Sequence, residues 1–178
     1  ALHLLGVEVV LAAYAVGSLH QGIPPRGLAL LTDFLDHTQG RASTFYNGGE
    51  WGVGHADMSR PYCPRLNQAI LREAGRLGVA VVPQATYVCT NGPRLESPAE
   101  VRLLTSWGAD VVGMTGVPEV VLARELGMHF AGLALSMNLA VGLEEELTLL
   151  HDLGSQRRAM LEVFQAALSG FEDSPGCS

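Results

Sequence analysis

The chain has 178 residues, 48% hydrophobic and only 16% charged, which excludes intrinsic disorder and fits one domain rather than two. All eleven basic residues are arginines, so Schiff-base enzymes and P-loop ATPases, which need a lysine, are excluded. A net charge of −7 argues against general affinity for nucleic acid, and Glu8, His20 and Arg26 interrupt the most apolar stretch before it reaches membrane-spanning length.

Taken in order, residues 6–13 and 28–31 are apolar runs predicted as strands. Residues 36–65 form a long connection of Gly, Asn, His, Pro and aromatic residues, too long to be idle in a compact domain. A helix is predicted over 67–77, with Ile70, Leu71, Ala74 and Leu77 on one face and Gly78 as its stop. A third strand covers 78–89 and leads into a polar loop at 90–97. Pro98 opens the next helix, which runs to Trp107 before Gly108. A strand over 110–114 and a helix over 118–126 repeat the pattern, and Gly127 ends it. The last strand is 130–137, followed by a polar loop at 138–151. A final helix over 155–168 carries Met160, Leu161, Phe164, Ala167 and Leu168 at helical spacing.

Alternating strands and helices give the fold class, α/β, with a largely parallel or mixed central β-sheet flanked by helices. Near-continuous apolar strands imply burial on both faces. One domain is expected over 1–170, with a carboxyl-terminal tail at 171–178. Cys63, Cys89 and Cys177 make no close pair and no metal-ligand spacing, so free thiols in a reducing compartment, by default the cytoplasm, are expected. The six histidines show no helical metal pair, and no G-x-S-x-G elbow or G-x-G-x-x-G loop occurs.

Ligands of open α/β sheets gather at the carboxyl ends of strands, which directs attention to three loops. Residues 113–119 form a Gly-Met-Thr-Gly turn entering a helix. Its N–H groups and the Thr115 hydroxyl could hold an anion or a sugar hydroxyl, or could simply cap the helix. In residues 91–97, Ser97 suits a helix cap, which leaves the Glu96 carboxylate able to accept a heterocycle N–H. Asn138, at the exit of a buried strand, offers donors and acceptors for recognition or serves as a turn residue.

Together these segments resemble the trimeric purine nucleoside phosphorylase family, and in particular its methylthioadenosine phosphorylase branch. The matches run in order: 15–19 with 25–27, 33–36, 43–46, 54–64, 92–96 and 108–120. Segments 92–96 (Gly-Pro-Arg-Leu-Glu) and 108–120 (Gly-Ala-Asp-Val-Val-Gly-Met-Thr-Gly-Val-Pro-Glu-Val) are close to diagnostic. The resemblance implies a three-layer α/β/α fold and phosphorolysis of a purine nucleoside, with inorganic phosphate as co-substrate and no cofactor or metal. It also implies a homotrimer. Glu96 would accept the purine N1–H, and Asn138 would meet the N7 and O6 side. Leu95 would stand where an aromatic packs on the base, Met114 would lie under the ribose, and Thr115 would meet sugar or phosphate. The Ala15 N–H would contact phosphate, His55 would serve a neighbouring subunit's 5′ pocket, and His151 would lie near the ribose 5′ end.

Glu96 with Asn138 suits a 6-oxopurine, because the adenosine-type members carry an Asp at the Asn138 position. Inosine, guanosine or methylthioinosine is therefore the expected substrate. Methylthioadenosine phosphorolysis, or a purine-binding member without activity, is the alternative. Two departures stand out: Tyr14 replaces a small or hydroxyl residue, and residues 26–28 lack the usual Asp. Ala1 opens directly on an apolar run, where the family's first phosphate loop and Arg-His-Gly motif would precede it. The chain is accordingly expected to be the later part of a larger domain.

Overall fold

The computed structural model describes residues 1–50, 52–144 and 152–171. The described residues contain five strands: β1 (Val9–Ser18), β2 (Leu28–His37), β3 (Val81–Thr90), β4 (Val111–Gly113) and β5 (His129–Leu139). Four α-helices accompany them: α1 (Pro64–Leu77), α2 (Pro98–Ser106), α3 (Gly116–Glu125) and α4 (Gly154–Ser169). Helix ends follow local chemistry. Gly78 closes α1 in the left-handed conformation, at φ 68°, where a side chain would be strained. Ser97 caps α2 in a reciprocal capping box with Glu100. In α3, Val117 is extended, so regular turns start at Pro118, as expected.

The sheet is mixed. β1 runs parallel to β5, and β2, β3 and β4 run parallel to one another. Short antiparallel seams, β1 with β4 and β2 with β5, join the two groups, so the order β1–β4–β3–β2–β5 returns to β1. The sheet thus closes on itself, which the strand pattern alone does not reveal. Over residues 9–16 the second edge of β1 pairs with no described strand.

β5 and residues 28–31 of β2 meet the expectation of burial on both faces. β1 does not: Ala13 is exposed. The reason lies in position, since β5 lies between β1 and β2. Phe130 and Ala134 join a core with Tyr14, Tyr87 and Val120 of α3. Leu133 and Leu135 join a second core with Leu66 and Ile70 of α1 and Val163 and Phe164 of α4. A third, smaller core joins Val88 and Val112 to Val101 and Leu104 of α2.

The strands predicted over 6–13 and 28–31 run further than expected, β1 to Ser18 and β2 to His37. Long ladders with β5 and β3 hold these polar and small residues in strands despite their low propensity. Phe171, expected to begin a tail, packs edge-on against His129 at 5.3 Å, with the Arg65 guanidinium 5.5 Å from its ring centre. The rest of that tail lies outside the described residues.

Candidate active site

The carboxyl ends of β1, β4 and β5 converge on one cavity of about 440 Å³. Its lining brings together Ala15, Leu95, Glu96, Met114, Thr115 and Asn138, six residues separated by up to 123 positions in the chain. His55 is exposed on the connection between β2 and α1 and does not line this cavity. His151 lies outside the described residues.

Asn138 reaches the cavity through a register shift. Val16 pairs with Ser136, but the next residue, Gly17, pairs with Asn138 rather than Met137. The extra residue breaks the two-residue alternation of β5, so Met137 and Asn138 both line the cavity. The Asn138 side chain is buried, and its Nδ2 donates to the Leu139 carbonyl at 2.7 Å. A carbonyl can only accept, so this bond settles which end of the amide carries nitrogen. One Nδ2 hydrogen is thereby used, and the other, with Oδ1, remains for a ligand.

Glu96 lies on the loop that leaves β3. Its Oε1 accepts the Thr90 hydroxyl at 3.0 Å. The neighbouring acid has a separate set of partners. Glu100 is paired with both terminal nitrogens of Arg94, at 2.7 and 2.8 Å, and accepts the Ser97 N–H at 2.7 Å. Arg94, and then the Ser97 N–H, hold the Glu100 carboxyl down to a pKa of about 2. The basic side chain of the loop is thus engaged by Glu100.

The Met114–Thr115 turn is held from behind by Tyr87. Thr115 and Gly116 donate their N–H groups to the Tyr87 hydroxyl at 3.1 and 3.2 Å. Gly113 and Gly116 lie against the same side chain, where an added Cβ would come within 2.5 Å of its hydroxyl and 2.8 Å of its ring, respectively. Burial, above all, raises the Tyr87 pKa well beyond the ordinary range, so the phenol stays neutral. Tyr14 lies 5.4 Å from Tyr87, centre to centre, and donates to Glu119 Oε2 at 2.9 Å. Burial, then the Glu119 charge, raises its pKa too. Gly92, at φ 62°, lets the two loops meet, because a Cβ there would collide with Met114 Sδ.

The start of the long connection is strapped over this region. Asn91 and the Gln39 backbone exchange two bonds of 3.1 Å, Arg41 donates to the Thr90 carbonyl at 3.3 Å, and Phe45 N–H donates to Glu125 at 2.8 Å. Sequence reasoning assigned no role to Tyr87, Thr90 or Met137. The one available signal was position: Thr90 is the first residue of the polar loop, and Tyr87 sits at inward spacing in an apolar strand. Among the described residues, no group of three His, Cys, Asp or Glu side chains could hold a metal ion, and no helix is long and apolar enough to cross a membrane.

This geometry has close relatives. A family model described as "Phosphorylase superfamily" matches residues 1–171. The chain is 41% identical over 184 residues to a "Probable 6-oxopurine nucleoside phosphorylase" of Moorella thermoacetica, covering 99% of this chain and 70% of that protein. It is 43% identical over 166 residues to a "Probable S-methyl-5'-thioinosine phosphorylase" of Methanopyrus kandleri, covering 93% of this chain and 60% of that one. Among solved structures, methylthioadenosine phosphorylase from Schistosoma mansoni in complex with tubercidin superposes with a TM-score of 0.87 at 29% identity, over 97% of this chain and 68% of that one. The chain therefore spans 60% to 70% of the lengths of these three relatives.

Proposed function

The chain belongs to the phosphorylase superfamily, and on that footing we propose that it carries the base-recognition site of a purine nucleoside phosphorylase with preference for 6-oxopurines. The observation that carries this reading is the pairing, in one cavity, of the Glu96 carboxylate with an Asn138 amide whose nitrogen end is set by the Leu139 carbonyl. A 6-oxopurine presents a donor at N1 and acceptors at O6 and N7. The carboxylate answers the first, and the remaining Asn138 N–H answers one of the others. A 6-aminopurine reverses the polarity at position 6 and leaves a buried donor facing a donor.

The chemistry follows from that placement. A phosphate oxygen forms a bond to the anomeric carbon as the bond from that carbon to purine N9 breaks. The electron pair leaves with the purine. Asn138 and Glu96 stabilise the charge that develops on the departing base, and Met114 and Thr115 position the sugar. The Ala15 N–H, on the open edge of β1, is the chain's own candidate contact to phosphate. An adjoining cavity of about 360 Å³, lined by Leu135, Met137, Met160 and Leu161 with Arg157 exposed at its side, suits an apolar 5′ substituent such as a methylthio group. The family resemblance supports a homotrimer with His55 serving a neighbouring subunit, a role that a monomeric mass in solution would remove, and the cysteine usage supports the cytoplasm.

The test is phosphate-dependent base release. Hypoxanthine release from inosine or methylthioinosine should exceed adenine release from methylthioadenosine, and Asn138→Asp should shift the ratio toward 6-aminopurines. The opposite ratio in the unmodified chain overturns the preference. Purine binding without any release identifies a binding-only member.

A further inference from the structure

Glu96 lines two cavities. One is the base cavity, and the other is a polar hollow of about 210 Å³ that also contains His37, Gln39 and Thr90. Thr90 lines only the second, so its hydroxyl meets the carboxylate from outside the base cavity. Thr90 is firmly placed: it pairs with His37 in the β2–β3 ladder, and its carbonyl accepts from Arg41. The nearby cation that could have held Glu96 instead, Arg94, is bound to Glu100 by both terminal nitrogens.

From this arrangement we infer that Thr90 is the positioning residue that selects the base through Glu96, an inference that rests on the purine-binding reading above. The donated hydroxyl occupies Oε1 and leaves Oε2 to accept a purine N1–H. A 6-oxopurine carries a proton on N1 for that oxygen, whereas a 6-aminopurine has a bare N1 and offers it no donor. Thr90 thus fixes which Glu96 oxygen the base meets.

Calorimetric titration of hypoxanthine and adenine into the full chain tests this with Thr90→Val and Thr90→Ser. Thr90→Val keeps the shape and loses the donor. Its hypoxanthine affinity should fall about tenfold, the factor expected for one bond to a charged group. Discrimination against adenine should narrow as well. Thr90→Ser should restore both. Unchanged binding by Thr90→Val overturns the inference, as does a loss that Thr90→Ser fails to restore, which would assign Thr90 to packing. Absence of hypoxanthine binding by the unmodified chain overturns it as well. Hypoxanthine binding with no phosphate-dependent release refutes the enzymatic reading while leaving the role of Thr90 measured.

Discussion

At one end of the cavity Glu96 is held by Thr90, six residues earlier, and Asn138 by the carbonyl of the very next residue. At the other end, the N–H groups of Thr115 and Gly116 are held by Tyr87, 28 and 29 residues away, while Tyr14 reaches Glu119 across 105. The first end is furnished by strand exits that carry their own supports. The second is shaped by buried aromatics belonging to the core. Recognition and stability should therefore separate at the Glu96 end and move together at the turn.

The largest effect is expected where the turn meets the core. Gly113→Ala would place a Cβ within 2.5 Å of the Tyr87 hydroxyl on a fully buried ring that has nowhere to go. Overpacking of this kind costs ~1–3 kcal/mol or more, so the urea midpoint should drop and base release should collapse with it. If activity falls while the midpoint holds, the turn is not anchored as described. Glu96→Ala should do the reverse. Hypoxanthine affinity should fall by about 10- to 100-fold for one charged hydrogen bond, with stability changed by only about 0.5 kcal/mol, because this loop residue is half-buried. A large loss of stability would erase the contrast between the two ends.

Tyr87→Phe sharpens the contrast further. It keeps the ring against Gly113 and Gly116 but leaves two N–H groups without their acceptor, a loss of ~1–3 kcal/mol. Thermal denaturation together with the KM for phosphate and nucleoside should register it at the turn, with hypoxanthine affinity little altered. The smallest effect belongs to Glu100. Its folded pKa, about 2, lies below its ordinary value of 4.5, so its stabilising contribution is present above pH 4.5 and fades as pH falls toward 2. Glu100→Gln should flatten that part of the curve of melting temperature against pH. An unchanged acid limb would mean that the Arg94 pair and the capping box contribute nothing measurable.

Much of this was legible in the chain itself. The Ser97 cap, the Pro98 and Pro118 helix starts and the Gly78 stop are read from neighbouring residues, because caps and left-handed glycines are local physics. The Glu96 and Asn138 side chains were identifiable because each is a polar group at the exit of an apolar run. Thr90 was not, since a threonine opening a polar loop needs no further explanation until its hydroxyl is seen on Glu96. Tyr87 reads as an ordinary inward strand position and Tyr14 as a departure just past a strand, and their hydroxyl bonds depend on packing between distant elements. The continuation of β1 to Ser18 was hidden for a similar reason, as the Gly-Ser pair resembles a turn until the β5 ladder holds it extended.

What the sequence by itself determined is the alternation of strands and helices, their caps, and which polar side chains stand at strand exits. Each of these depends on residues within a few positions of one another. The tertiary structure alone decided the closure of the sheet, the register shift that turns Asn138 into the cavity beside Met137, and the aromatic support behind Thr115. Those features depend on which strands become neighbours. That choice is set by burying β5 between two partner strands and under three helices, and it leaves no mark on any short stretch of chain.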